Sequence, residues 1–441
     1  MVAGGPVIGS PPATKRPMLD SEMLARDGVF EGVDLTALAA VEGTPLYVYS
    51  PAMIRTRYRA LRHALAGLDA GICYAVKANG NRAVLELLAA EGSGADIVSG
   101  GELQRALRAG IAAERIVFSG VGKSVAEVEA ALAAGVGRFN LESLAELETL
   151  QSVARRRGTV ARASARINPD VDALTHAKIS TGRAENKFGV SIGEARSWFA
   201  SAQRWPDVRL DGLHMHIGSQ LLSLEPMHEA LARMADFART LLAAGSELAC
   251  IDVGGGLGVR YREGEKAPSA EEYAAAIRHA LGWFEGRILV EPGRWLVAEA
   301  GLLLSRVLLE KQGDTRRFLV LDAAMNDLLR PSLYDAWHDI VPLPVDGSGP
   351  QERVAYDVVG PVCETGDTFA TARQLPRCQA GQLVAILASG AYGASMASNY
   401  NSRPLPAEVF VDAGRYAVVR RRQTLDEMLA GEQSTADWTS P

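Results

Sequence analysis

A lysine follows directly on an apolar segment early in the chain. Residues Gly71–Val76 are predicted to form a buried strand, and Lys77 comes immediately after it. An ammonium group is unfavourable to bury without a partner. Burial also lowers the pKa of an amine, and a neutral amine attacks an aldehyde to form a Schiff base. For a lysine considered alone, the simpler interpretation is a side chain that reaches water from the strand end.

Three later predicted strands also end in charged, histidine-containing or glycine-rich sequences. The segments at these ends are His214–Ser219, Asp252–Gly256 and Glu291–Arg294. Backbone N–H groups approach an anion closely where no Cβ intervenes, so Gly254–Gly256 is a candidate phosphate site. Three consecutive glycines also occur in ordinary tight turns, and taken alone they are weak evidence.

Considered together, these strand ends indicate pyridoxal phosphate as a cofactor. Lys77 would bind its aldehyde, Glu291 would keep its pyridine nitrogen protonated, and His216 would lie against its ring. The phosphate would be held by Ser219, Arg294 and the glycines Gly254, Gly255 and Gly256. A structural glutamate, a core histidine and a tight turn are the alternatives for the separate residues. We favour the cofactor, because packing does not explain why all these groups fall at strand ends.

Eight predicted strands alternate with helices over residues 50–300, which is typical of a (β/α)8 barrel. Two helix starts, Ser124 with Glu127 and Ser143 with Glu146, predict capping boxes. An open doubly wound sheet is the alternative, but eight successive units favour closure. Such barrels carry their active sites at the carboxyl ends of the strands, where the residues above are found.

After Gly301 the pattern changes to β-type segments separated by glycine and proline turns. These segments predict an all-β second domain, to which the early strand Thr44–Tyr49 is also assigned. The predicted divisions are a disordered leader (1–26), an N-terminal segment joining the β domain (27–49), the barrel (50–300), the β domain (301–430) and a tail (431–441).

The composition of the 441 residues is globular, with 48% hydrophobic and 22% charged residues. The net charge of −6 gives no indication of binding to nucleic acid or to an anionic membrane. The apolar segments are too short to cross a bilayer. The four cysteines lie far apart and show no metal-ligand spacing, so we expect no metal, reduced thiols and a cytoplasmic location.

Two glycine-bounded turns of the predicted β domain carry further reactive groups. Gly360–Asp367 contains Cys363 beside Glu364, and Tyr392 lies between glycines. Most free cysteines are small buried residues. A cysteine in a polar turn is expected to be exposed, which makes Cys363 a candidate proton donor. The turn can reach the barrel of its own subunit or that of a neighbour.

These motifs resemble those of the alanine-racemase-fold, pyridoxal-phosphate-dependent decarboxylases. The resemblance covers residues from about 27 to 429. It rests on the segments Tyr74–Asn79, His214–Ser219, Asp252–Gly256, Glu291–Arg294 and Gly360–Glu364. Particularly specific are Ile179–Gly189, Ala324–Pro331 and Met396–Asn401.

The resemblance implies a (β/α)8 barrel with a C-terminal β-barrel-like domain, assembled as a head-to-tail homodimer with shared active sites. Lys77 is then the Schiff-base lysine, and Cys363 of the partner subunit is the proton donor and enters together with Glu364. Gly293 and Tyr392 are then further cofactor contacts. The substrate contacts implied are Arg294, Arg330, Tyr334, Glu364 and Tyr392, so that Arg294 has two candidate roles.

The activity implied is decarboxylation at the D-configured centre of meso-2,6-diaminopimelate, which gives L-lysine in the last step of lysine biosynthesis. Arg330 fits this substrate, because a guanidinium fork binds a second carboxylate bidentately. The alternative is a related decarboxylase of ornithine, arginine, carboxynorspermidine or a carrier-tethered amino acid. A cofactor-binding protein without catalysis is a third hypothesis. Such proteins are usually single barrels, and the predicted β domain argues against it.

Overall fold

The structure is a computed structural model that describes residues 21–172, 187–262, 264–345 and 351–433. Within these residues, no helix has both the length and the apolar character needed to cross a membrane. The described chain is organised around a closed barrel and a nine-stranded sheet. The fold class predicted from the sequence is therefore confirmed.

The described chain begins with short elements. They are α1 (Ser21–Asp27), β1 (Val29–Phe30), β2 (Val33–Asp34), α2 (Leu35–Glu42) and β3 (Leu46–Tyr49). Helix α1 lies within the segment expected to be a disordered leader. That expectation does not hold for residues 21–26, because Leu24 is buried in the hydrophobic core. Residues 1–20 lie outside the described residues.

Eight parallel strands close into the barrel in the order of the chain, with β11 pairing β4. The strands are β4 (Ala70–Ala75), β5 (Gly94–Ile97), β6 (Ile116–Phe118), β7 (Arg138–Leu141), β8 (Ala161–Arg166), β9 (Val208–His214), β10 (Cys250–Asp252) and β11 (Arg287–Val290). The helices of this region are α3 (Pro51–Ala64), α4 (Arg82–Ala90), α5 (Gly100–Arg108), α6 (Val125–Ala134), α7 (Leu144–Arg157), α8 (Ile192–Ala200), α9 (Glu225–Ala243), α10 (Ala270–Leu281) and α11 (Arg294–Val297). Parallel pairing requires such crossover connections.

Helix α3 illustrates how the sequence positions this outer layer. Ile54, Tyr58 and Leu61 recur at helical spacing and are buried against the barrel. Ser50 caps the helix by accepting a hydrogen bond from the N–H of Met53. The barrel and its helices thereby share one continuous apolar core.

The two predicted capping boxes have different outcomes. Ser124 and Glu127 form the reciprocal pair at the start of α6, as predicted. At α7, Ser143 accepts from the N–H of Glu146, but the Glu146 carboxylate accepts from the buried ammonium of Lys123. The second box is therefore wrong in its reciprocal half, because a buried cation needs a counter-charge.

The second sheet follows the order β16-β15-β13-β12-β3-β18-β19, with β14 and β17 paired beside β12. Its further strands are β12 (Gly301–Gln312), β13 (Arg317–Leu321), β14 (Ile340–Pro342), β15 (Arg353–Val359), β16 (Thr368–Pro376), β17 (Leu383–Ile386), β18 (Ala407–Asp412) and β19 (Arg415–Arg420). Two helices, α12 (Arg330–Tyr334) and α13 (Leu425–Leu429), accompany them. Strand β3 pairs with both β12 and β18, so the N-terminal segment is part of this sheet.

The turn at Gly390 fixes the β domain to the rim of the barrel. The Asn79 side chain donates to the carbonyl of Gly390 at 3.1 Å, and the N–H of Gly390 donates to Ala298 at 3.0 Å. The N–H of Tyr392 donates to the carbonyl of Ala78 at 2.7 Å. Residues of the β domain are thereby held beside the segment that contains Lys77.

Two segments singled out in the sequence lie wholly or partly outside the described residues. They are Ile179–Gly189, of which 179–186 are not described, and the tail, of which 434–441 are not described.

Candidate active site

A cleft of about 180 Å³ lies at the carboxyl ends of the barrel strands, against the β domain. The predicted site residues that line it are Lys77, His216, Ser219, Gly256, Glu291, Gly293, Arg294, Arg330, Tyr334 and Tyr392. They come from four strand ends of the barrel and from two segments of the β domain. The fold therefore brings together groups that are far apart in the sequence.

Lys77 lies just beyond strand β4, in a 3-10 turn, and its side chain is 40% exposed to the cleft. Its amine donates to Oδ2 of Asp96, on the neighbouring strand β5, at 2.7 Å. Burial lowers the pKa of Lys77, but the charges of Asp96, Tyr392 and Glu291 together raise it above its ordinary value. The lowered pKa expected from burial alone is therefore not found, because that expectation did not include the carboxylate of Asp96 as a partner.

The glycine run divides into two parts with different surroundings. The N–H of Gly254 donates to Oδ1 of Asp252 at 2.9 Å, and the N–H of Gly255 donates to Nδ1 of His216 at 3.2 Å. A Cβ on Gly255 would lie 2.2 Å from the carbonyl oxygen of Glu291, so close packing requires this glycine. Gly256 is the member of the run that lines the cleft.

Arg294 and Ser219 form one wall of the cleft. The Nε and Nη2 atoms of Arg294 donate to Oγ of Ser219 at 3.3 and 3.0 Å. Its Nη1 donates to the hydroxyl of Tyr261 at 2.7 Å, and its Cζ lies 4.7 Å from the centre of the Tyr392 ring. Arg294 is only 6% exposed, so its orientation is fixed by these contacts.

Glu291 follows strand β11 and lies in a buried polar cluster. Its Oε2 lies 3.3 Å from Nε2 of His214, and its Oε1 accepts from the Asn140 amide at 3.4 Å. Carboxyl oxygens of Asp252 and Glu291 lie within 4.8 Å of each other, and burial raises the pKa of Asp252 well above its ordinary value, so this pair holds a proton near pH 7. Burial, and then the charge of Asp96, raises the pKa of Glu291 to about 8. Burial lowers the pKa of His214 to about 4, so this histidine is neutral near pH 7.

His216 presents its ring to the cleft in a defined orientation. Because its Nδ1 accepts from the N–H of Gly255, the proton of the neutral ring is on Nε2. Burial, followed by the charges of Arg166 and Lys77, lowers the pKa of His216 well below its ordinary value. The ring is therefore neutral and suited to packing against a flat ligand.

Arg330 and Tyr334, at the two ends of helix α12, close the cleft from the side of the β domain. Nη1 of Arg330 lies 2.6 Å from Nε2 of His338. Cζ of Arg330 lies 4.4 Å above the centre of the Tyr261 ring. Tyr392 completes this side with a φ of 55°, which is strained for a residue with a side chain. Its N–H bond to the carbonyl of Ala78 holds it beside Lys77.

Arg294 and Arg330 face the same cleft as buried cations. They are 6% and 5% exposed. In the part of the chain that the structure describes, no carboxylate forms an ion pair with either guanidinium group. Because buried charges require a counter-charge, these two groups indicate a ligand with at least two anionic groups.

Cys363 and Glu364 do not line this cleft. Both are exposed in the loop after β15, where the N–H of Cys363 donates to the side chain of Asn401 at 3.1 Å. The Glu364 carboxylate accepts a hydrogen bond from Tyr400. The fold therefore leaves these two predicted site residues on the surface of their own subunit.

Larger cavities lie elsewhere, and size alone does not locate the chemistry. One of about 860 Å³ opens at the amino ends of the strands, where Cys73, Cys250, Arg115 and Arg287 line it. Active sites of closed barrels lie at the opposite end, where the cleft around Lys77 is found.

Sequence reasoning missed several residues of the site. Asp96 and Asp252 each lie at or near a strand end, and their positions are a signal that could have been used. Tyr261 and His338 lie outside the strands and helices, and no pattern in the sequence links them to the cleft. Their roles follow only from their contacts.

The cleft fits pyridoxal phosphate in its chemical character. Lys77 provides the amine that an aldehyde requires, and Glu291 provides a buried carboxyl group that forms no ion pair with a lysine or arginine among the described residues. Arg294, Ser219 and Gly256 lie side by side and offer cationic, hydroxyl and glycine backbone groups to a phosphate.

Comparisons with known proteins agree with this site. A family model described as "Pyridoxal-dependent decarboxylase, pyridoxal binding domain" matches residues 51–298. Diaminopimelate decarboxylase of Zymomonas mobilis is 46% identical over 92% of this chain and 97% of its own length. The enzyme of the same name from Pseudomonas aeruginosa is 48% identical over 94% and 97%.

A solved structure extends the agreement to the whole fold. The crystal structure of diaminopimelate decarboxylase from Helicobacter pylori in complex with L-lysine has a TM-score of 0.86 and 46% identity. The match covers 90% of this chain and 98% of that chain. This chain therefore belongs to the pyridoxal-phosphate-dependent decarboxylases, in the diaminopimelate decarboxylase family.

Proposed function

We propose that this protein decarboxylates meso-2,6-diaminopimelate to L-lysine and carbon dioxide with pyridoxal phosphate as its cofactor. The observation that carries the substrate assignment is the buried guanidinium of Arg330, which has no carboxylate partner within the described chain. A substrate with a carboxylate at its far end supplies that partner. The names of the relatives, and the lysine bound in the Helicobacter pylori structure, support the same substrate.

Pyridoxal phosphate, when bound, accepts the electron pair that remains on the substrate when its carboxylate leaves as carbon dioxide. Lys77 binds the aldehyde, Glu291 pairs with the pyridine nitrogen, and His216 packs against the ring. The phosphate is held by Ser219, Arg294 and Gly256. Gly293 keeps the floor of the cleft open, since a Cβ there would lie 3.0 Å from Cβ of Ala75 and 3.4 Å from the Tyr392 hydroxyl.

Glu291 and its neighbours favour a protonated pyridine nitrogen. His214 is neutral near pH 7 and gives Glu291 no cationic partner. A proton on the pyridine nitrogen provides the positive charge that stabilises the ionised form of Glu291. Asp252 retains the shared proton of the carboxyl pair. This arrangement would keep the nitrogen of the bound cofactor charged.

The substrate is held at both ends. Arg330, together with Tyr334, binds the carboxylate of the centre that does not react. Arg294 donates to Ser219 on the phosphate side of the cleft. On its other side it donates to Tyr261, whose ring also contacts Arg330. Arg294 therefore lies between the two groups and serves both the phosphate and the substrate. The ring of Tyr392 lies against Arg294, and Tyr392 likewise contacts both the phosphate and the substrate.

The site is completed by a second copy of the chain. Cys363 of the partner subunit donates the proton that replaces the lost carboxylate, and Glu364 of the partner subunit binds the far amine. The exposure of both residues, and their absence from the lining of their own subunit's cleft, supports this assignment. The protein is thus a head-to-tail homodimer with shared sites.

The functional divisions follow from this assignment. Residues 50–300 supply most of the cofactor contacts, and residues 301–430 supply most of the substrate contacts and the partner's loop. Residues 27–49 join the sheet of the β domain through β3. The four cysteines are free thiols, which supports a reducing, cytoplasmic location.

A decarboxylation assay across a panel of amino acids tests the proposal. The protein is loaded with cofactor, its absorbance spectrum is recorded, and carbon dioxide is measured with diaminopimelate, ornithine, arginine and carboxynorspermidine. We expect release mainly from diaminopimelate. A higher kcat/KM for ornithine or arginine would favour the alternative decarboxylase. Bound cofactor without release from any amino acid would favour a non-catalytic protein.

A further inference from the structure

A buried histidine that nothing above uses lies directly behind Arg330. Nε2 of His338 is 2.6 Å from Nη1 of Arg330, and Nδ1 of His338 is 2.7 Å from the carbonyl oxygen of Leu387. A carbonyl oxygen can only accept, so the histidine proton is on Nδ1. Nε2 is then the atom that accepts from Arg330. The backbone immediately after β17 thus determines the tautomer that orients the guanidinium.

The surroundings of His338 keep it neutral and in place. It is 1% exposed, and its ring packs edge-on to Tyr261 with the centres 5.2 Å apart. The charged groups that face it are cationic: Arg330, Arg294 and Arg373, whose Nη1 donates to the carbonyl of His338 at 2.9 Å. Asp339, its chain neighbour, is bound by the Trp337 indole. Burial and these cations lower the pKa of His338 well below its ordinary value.

The neutrality of this acceptor has a consequence for substrate binding. A carboxylate in the same place would also orient Arg330, but it would neutralise the charge that faces the cleft. A neutral imidazole fixes one edge of the guanidinium and leaves its positive charge for a ligand. A buried arginine is usually paired with the carboxylate of an aspartate or glutamate. The neutral imidazole of His338 takes that place here, which leaves the charge of Arg330 available to bind an anion.

We propose that His338 is a positioning residue that holds Arg330 through a neutral acceptor and thereby preserves its charge for the substrate's far carboxylate. This inference rests on the proposed function, because it takes Arg330 as the group that binds that carboxylate. His338 itself does not touch the substrate. Its effect is on recognition of a carboxylate and not on the chemical step.

A matched pair of variants separates charge from shape. His338→Gln retains a neutral acceptor, whereas His338→Glu has the same size and carries a carboxylate that neutralises Arg330. We expect the glutamine variant to keep the KM for diaminopimelate within about threefold of wild type. The glutamate variant should raise that KM by about tenfold or more, with kcat changed much less. Equal KM values in the two variants would overturn the proposal.

Binding of two ligands, L-lysine and cadaverine, gives a second measurement that does not depend on turnover. L-lysine retains the carboxylate of the unreacted centre, whereas cadaverine has none. In the cofactor-loaded protein, His338→Glu should weaken lysine binding by about tenfold relative to His338→Gln and leave cadaverine binding unchanged. Equal weakening of both ligands would show a merely structural role. If wild type binds lysine in this way but does not decarboxylate diaminopimelate, the proposed function fails and the inference stands.

A double-mutant cycle covers the case in which the variants are less stable. In an Arg330→Gln background there is no charge to neutralise, so the difference between Gln and Glu at position 338 should disappear. A difference that persists in this background contradicts the proposal, whatever the stability of the single variants. Unfolding temperatures of all four proteins are measured alongside.

Discussion

The amine of Lys77 lies 2.7 Å from the carboxylate of Asp96, across the pairing of strands β4 and β5. The pair is formed at the point where the cofactor's aldehyde must attach. Asp96 is fully buried, so its charge is poorly screened by water. It keeps Lys77 protonated in the cofactor-free protein, with consequences that can be measured.

Removal of this carboxylate should change how the cofactor attaches. In Asp96→Asn, burial acts on Lys77 without the opposing charge, so the pKa of Lys77 falls. The neutral amine is then available at lower pH, and the pH profile of cofactor attachment, followed by absorbance, should move towards acid. Glu102→Gln is the control, since Glu102 lines a cavity beside Lys77 but forms no hydrogen bond with it. An unchanged profile in Asp96→Asn would show that the pair does not control the amine.

Lys77 should be the residue that carries the cofactor. Borohydride treatment of the loaded protein should fix the cofactor to the peptide that contains Lys77. The variant Lys77→Ala should still fold, because strand β4 keeps its buried residues, and should lose nearly all turnover. The labelled peptide is identified by mass spectrometry. Labelling of a different lysine would contradict the assignment.

The sequence predicted the barrel and most of the cleft because both follow from local patterns. Strand ends in a closed barrel converge on one rim, so Lys77, His216 and Glu291 could be grouped before any contact was known. The five β-type segments predicted after Gly301 correspond to β12, β13, β15, β17 and β18. Strands β14, β16 and β19 were missed, because short, alternating or exposed segments in a β domain carry a weak signal. His338 could not be predicted, since its role depends on where β17 and α12 meet.

Two details of the site show the limit of such reasoning in physical terms. The sequence indicated that burial would lower the pKa of Lys77, but the partner Asp96 reverses the direction. The three glycines looked equivalent, yet the N–H groups of Gly254 and Gly255 are used within the protein. Asp96 lies on a neighbouring strand and His216, the partner of Gly255, follows another strand, whereas the partner of Gly254 is Asp252, two residues before it.

Two inactive variants should restore each other if the active sites are shared. Lys77→Ala mixed with Cys363→Ala, after subunit exchange, yields mixed dimers in which one of the two sites is intact. With complete exchange we expect about a quarter of wild-type activity. Each variant incubated alone is the control. No recovery despite demonstrated exchange would place Cys363 in the site of its own subunit.

The raised pKa of Glu291 predicts a pH dependence of stability in the cofactor-free protein. A carboxyl group with a folded pKa of about 8, against an ordinary 4.5, binds its proton more tightly when folded. Its contribution to the free energy of unfolding is complete below pH 4.5 and is lost as the pH rises through about 8. The stability of wild type relative to Glu291→Gln should therefore fall between about pH 4.5 and 8.

Denaturant titrations of both proteins across this range check the prediction. His214, with a pKa lowered to about 4 from 6.5, affects stability in the lower part of this range but is present in both proteins, so the fall between about pH 6.5 and 8 is the clearest signal of the raised carboxyl pKa. Asp252 is present in both proteins, but Glu291 raises its pKa, so the pH-dependent difference belongs to the pair of carboxyl groups. A stability difference that is constant with pH would contradict the assignment of the raised pKa to Glu291.

The central claim is that Arg330 selects a substrate with a carboxylate at its far end, and kinetics of Arg330 variants test it most directly. A charge-assisted hydrogen bond contributes about 1.5–3 kcal/mol, so Arg330→Ala should lower kcat/KM for diaminopimelate by roughly one to two powers of ten. Arg330→Lys keeps the charge without the planar fork and should still be clearly impaired. Lysine offered as a substrate has no second carboxylate, so it should be poor with wild type and lose little more in the variants. Unchanged turnover of diaminopimelate by Arg330→Ala would contradict the account.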